Sequence, residues 1–88
     1  MCDSSKHIAI IKLEIKRFGL EIKARKIEIR LLELQDRRCA ADKACDVIEV
    51  ERLGLLAHKD LIELETVESQ IDDVDEAIEA AEYDFGLR

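Results

Sequence analysis

The chain contains no proline, no asparagine and no tryptophan, and only three glycines. Those residues start and stop most reverse turns, so few places remain where the backbone can fold back sharply. Aromatic residues make up only 3% of the chain. That is too little for a base-stacking platform, and the Ile, Leu and Val that fill the chain suit helix seams better than a ligand pocket. No apolar run approaches the ~18 residues of a membrane span. The start, Met1 to Lys6, lacks the apolar core of a signal peptide. The three cysteines are an odd number and no export signal accompanies them. The expectation is reduced thiols, a cytoplasmic location and no membrane partner.

Motifs that carry chemistry are also missing. There is no P-loop and no dinucleotide fingerprint. Cys39 and Cys45 are six residues apart, about 240° around a helix, and share a ligand only if the backbone turns between them. Cys2, His7 and His58 form no zinc spacing. A Cys–His nucleophile and base would lack a Gly-rich anion loop and an orienting Asn. Asp72, Asp73, Asp75, Glu76, Glu79 and Glu82 form a dense acidic face, without the glycine turn or spacing of a calcium loop. No catalytic, cofactor-binding or metal-ligating residue is assigned, and the chain reads as a non-enzyme.

What is present is 48% apolar and 40% charged residues in 88 positions. That fits one domain and the long-helix composition class. So short a chain buries a small share of its surface when alone. The charge is divided. Residues 1–38 hold ten Lys/Arg against six Asp/Glu, whereas 60–88 hold one Arg against eleven acids, within a net charge of −7. Ends of opposite sign attract each other. A nucleic-acid binder using the basic edge of residues 12–38 is a second alternative reading, which the acidic end and the scarcity of aromatics make the weaker one.

A seven-residue register starts at Ile8 and steps by three and four to Phe85, and 18 of its 23 positions are apolar, where chance gives about eleven. Its members Ile8, Ile11, Ile15, Phe18, Ile22, Ile29, Leu32, Leu64, Val67, Ile71, Val74, Ile78 and Phe85 are the expected core and self-association seam. The register fails at Asp36, Lys43 and Asp46. A second stripe runs from Ile10 to Ile48 with ten of twelve positions apolar. It lies about 200° around the helix from the first. Its members Ile10, Leu13, Leu20, Ile27, Leu31, Leu34 and Ile48 are the expected partner-binding face. Alternation in Ile27-Glu28-Ile29-Arg30-Leu31 allows a strand reading, but the alternation changes phase and no hairpin turn follows.

The expected fold is all-α: a long antiparallel helical hairpin or coiled coil, forming one domain over 1–88 and oligomerising through its second apolar face. A helix spans about 6–38, the turn lies within 36–46, and a second helix runs over about 46–85. Asp46-Val47-Ile48-Glu49 reads as a capping box. Gly54 followed by Asp60 suggests a break at 54–60, Asp73 to Glu76 resembles another cap, and Gly86 suits a C-terminal stop. Antiparallel order sets Lys12 and Lys26 near Glu68, Asp75 and Glu82, although Glu14, Glu21 and Glu28 would then meet Glu63 and Asp84. The expected function is a helical protein–protein interaction module, a scaffold, adaptor or small regulator. It forms an antiparallel homo-oligomer, docks on a protein partner and needs no cofactor. The alternative is an inhibitor whose acidic 60–84 face imitates nucleic acid and blocks a basic site.

Overall fold

A computed structural model describes residues 4–86. Two helices, α1 (Ser4–Lys43) and α2 (Val47–Asp84), pack against each other as an antiparallel hairpin measuring 69 × 15 × 14 Å. A 40-residue helix is about 60 Å long at ~1.5 Å per residue, so α1 sets the length of the molecule. No strand occurs among the described residues. The helix formers Ala40, Ala41 and Lys43, with no Gly or Pro among them, carry α1 five residues past the expected end at 38.

The reversal takes three residues, Ala44 to Asp46. The amide of Cys45 donates to the Asp42 carbonyl at 3.0 Å, and that of Asp46 to the Ala41 carbonyl at 2.9 Å. This bond pair is the Schellman closure, which satisfies the last carbonyls of α1. It requires a left-handed residue, and Cys45 fills that place at φ +58°. A β-carbon in that region is strained by roughly 1–2 kcal/mol. Cys45→Gly is therefore expected to raise stability by about 1 kcal/mol, seen as a higher urea midpoint with an unchanged slope. A fall in the midpoint would mean that the thiol contributes more than the strain costs.

Asp46 then caps α2: its carboxylate accepts from the Glu49 amide at 3.2 Å. Only half of the capping box forms. Because the Asp46 amide is already given to Ala41, the Glu49 carboxylate turns instead to the Arg52 guanidinium at 2.9 Å and lies 4.0 Å from Arg37. At the far end Gly86, at φ +72°, donates to the Tyr83 carbonyl and closes α2. There Lys6 Nζ sits 5.8 Å from the Phe85 ring centre, a cation–π contact between the two ends of the chain.

The break expected at 54–60 is absent: α2 is continuous through it. Gly54 lies inside the continuous helix and faces α1. The Arg38 guanidinium of α1 lies over it, and a β-carbon there would stand 3.6 Å from Arg38 Cζ. Nor does a helix start at Asp73. Val74 is buried in the seam and Asp75 accepts from Arg17 across the hairpin.

The core consists of two clusters along one seam. Ala24, Ile27 and Val67 pack with Leu20, Leu31, Leu64 and Ile71. Nearer the turn, Leu34, Ala41 and Leu53 pack with Val50 and Ala57. Ile27 is 0% exposed, and Leu53 and Val67 are 1%.

Candidate interaction surface

The inward face of α1 is the second stripe. Ile10, Ile27 and Leu34 are buried, and Leu13, Leu20 and Leu31 are half-buried. The inward face of α2 belongs to the first register: Leu64, Val67, Ile71, Val74, Ile78 and Phe85 are buried or half-buried. The α1 members of that register, Ile8, Ile11, Ile15, Phe18, Ile22, Ile29 and Leu32, all face away from α2 and are exposed. On α1, the expected core and the expected free face have exchanged places.

The reason lies in length and in the polar interruptions. Outward of Leu32 the first register meets Asp36, Cys39 and Lys43, so it could cover only part of α2. The second stripe continues to Ala41 and matches α2 nearly end to end. Its two interruptions each find a fitting place on α2: Arg17 bonds Asp75, and Arg38 lies over Gly54. Ala24 and Ala41 let the helix axes approach.

The exchange also settles the charged edges. Arg30 bridges Asp60 at 3.3 Å and Glu63 at 3.0 Å, while Arg17 joins both Asp75 and Glu21. Arginines therefore supply cross-helix ion pairs on these edges, and Asp75 pairs with Arg17. Glu63 meets Arg30, and Glu28 is taken up by Arg25 on its own helix at 2.9 Å, so these two carboxylates of that edge are each paired with an arginine. The Arg17 and Arg30 guanidiniums are held further above their usual range by the hydrogen bonds to Asp75 and Asp60. These pairs are partly exposed to solvent and select orientation more than they add stability.

Glu49 is held below the usual carboxylate range by its hydrogen bond to Arg52, helped by the charges of Arg52 and Arg37. Because the folded value is depressed, its contribution is complete above the unfolded glutamate value and is lost as pH falls through the folded one. Carboxyl NMR is expected to give Glu49 a lower midpoint than free glutamate, and Arg52→Ala to move it upward. An unmoved midpoint would place the cause elsewhere.

The outer surface has three regions. The first is the row of seven large apolar side chains on α1, in which Ile15 and Phe18 are each 65% exposed. The second is on the outer side of α2 near the turn, where Ile48, Leu55 and Ile62 recur every seven residues and Ile48 is 81% exposed. Ile48 is thus the one member of the expected partner-binding face that stays open. The third is acidic: Asp72, Asp73, Glu76 and Glu79 are exposed, whereas Asp75 and Glu82 are half-buried.

No protein-family model, curated protein or solved structure matches this chain. Its surface must therefore be interpreted from its own residues. Cys39 and Cys45 are free and exposed. Cys2 lies outside the described residues. His7 and His58 sit on different helices, with His58 opposite the stretch near Leu34, about 40 Å from His7 along the axis. Among the described residues no group of three His, Cys, Asp or Glu is placed to hold a metal ion. No described helix is long and apolar enough to cross a membrane.

Proposed function

We propose that the chain is a non-enzymatic helical interaction module, which associates with itself through the outer face of α1 and docks a protein partner near Ile48, Leu55 and Ile62. The observation that carries this reading is the unbroken exposure of Ile8, Ile11, Ile15, Phe18 and Ile22 on a helix whose opposite face is already filled. A contiguous apolar patch of this kind marks an association site. Each of these side chains is roughly half exposed, so covering it gains about 1 kcal/mol. Among the described residues α1 and α2 already pack on each other, so neither helix supplies that cover.

The nucleic-acid readings have less support. The basic edge of α1 is partly spent on α2, since Arg17, Arg30 and Arg37 all face carboxylates there. The acidic strip loses Asp75 to Arg17.

Light scattering tests the proposal. The particle mass is expected to exceed the 10.1 kDa of one chain. The double variant Ile15→Glu, Phe18→Glu is expected to return it to one chain with its helical circular dichroism intact. A wild-type chain that remains a monomer at high concentration would sink the self-association reading.

A further inference from the structure

We infer that the occupant of the outer α1 face is a second copy of this chain, aligned parallel, so that two α1 helices form a central coiled coil with α2 and its counterpart on the flanks. This rests on the association reading above and adds the partner's identity and direction.

The spacing supplies the first reason. On the outer face Ile8, Ile15, Ile22 and Ile29 occupy one heptad position, and Ile11, Phe18, Arg25 and Leu32 the other. The row covers about three and a half heptads, enough for a coiled-coil seam. Four β-branched isoleucines fill the first position, as in parallel two-stranded coils, although the leucine such coils place at the second position occurs here only at Leu32. Arg25 is the single polar residue in the row, and Glu28 clamps its guanidinium at 2.9 Å.

The flanking charges supply the second reason. One edge of the row carries Glu14, Glu21 and Glu28, and the other carries Lys12, Lys26 and, at its end, Glu33. Antiparallel copies set each edge against itself: Lys12 meets Lys26, Glu14 meets Glu28, and Glu21 meets its own counterpart. Parallel copies set unlike edges together, with Glu21 facing Lys26 of the second copy; their two like-charged pairs are Glu28 with Glu33 and Arg25 with its own counterpart, each Arg25 being paired to Glu28 of its own helix. The antiparallel order favoured by the opposite charges of the two ends has already been used within the chain. The strongly acidic α2 segments do not oppose the pairing. They lie on the far sides of α1, about three helix spacings or ~27 Å apart, beyond the ~8 Å screening length.

The test uses the full chain with Cys2, Cys39 and Cys45 changed to Ser, and Ile11→Cys or Ile29→Cys added singly. Parallel copies bring like-numbered residues together, so each variant alone is expected to form a disulfide-linked dimer on mild oxidation, with a mass of about 20 kDa, twice that of the chain. Antiparallel copies would hold the two thiols introduced at position 29 about 27 Å apart. They would cross-link only when the two variants are mixed, and that result overturns the parallel order while leaving self-association standing. Association without any cross-link, or a mass of three chains, overturns the pairing proposed for this face. A 10.1 kDa particle before oxidation removes both this inference and the self-association on which it rests.

Discussion

Ile27→Ala is expected to lower the unfolding free energy by about 2–5 kcal/mol, the cost of emptying a fully buried aliphatic site. Ile27 is 0% exposed, wedged between Ala24 and Val67 with Leu20, Leu31, Leu64 and Ile71 around it. The small residues beside it leave little freedom for neighbours to collapse into the gap. Ile22→Ala, on the opposite side of the same helix, is the matched control. With Ile22 45% exposed, the expected loss is under about 1 kcal/mol at concentrations where the chain is monomeric. Urea unfolding of the two variants reads the difference directly. Small domains have only about 5–15 kcal/mol in total, so Ile27→Ala removes a large fraction of the stability. Equal losses at the two sites would contradict the inward placement of the second stripe.

The second large effect concerns the middle of α2. Leu55→Pro is expected to cost at least about 3 kcal/mol, because a proline inside a continuous helix removes an amide donor and its ring clashes with the carbonyl of residue 51. Leu55 is 73% exposed, so the substitution removes little packing and the effect isolates the backbone. A marked fall in melting temperature and in helical circular dichroism is the expected result. Leu55→Ala should be close to neutral. A chain with a break at 54–60 would accept the proline cheaply, and that outcome would restore the interruption which Gly54 suggests in the sequence.

Gly54 also shows why local signals mislead here. Glycine followed by aspartate reads as a stop and a restart, but α2 runs straight through it, and a β-carbon there would meet Arg38 of the other helix only at an ordinary contact distance, so the structure gives the glycine no packing reason. The same holds for Asp75. Its cap-like neighbours suggest a helix start, whereas its partner is Arg17, far away in sequence. Asp46 is the contrasting case: the bond it makes is to Glu49 three residues on, so sequence alone could place it. Even there the second half of the capping box failed, because the amide it needed had been taken by Ala41 at the end of α1.

The sequence by itself determined that the chain forms helices, that they pair in antiparallel order, and that α1 has two apolar faces and so more than one partner can use. Those properties follow from the seven-residue spacing, the missing turn residues and the opposite charges of the two ends. Tertiary structure alone decided which α1 face turns inward. The two stripes are nearly equal in apolar content, and the choice depends on how far each can follow α2 and on whether Arg17 and Arg38 find Asp75 and Gly54 across the seam. Such matches lie between residues distant in the chain, where periodicity within one helix carries no information.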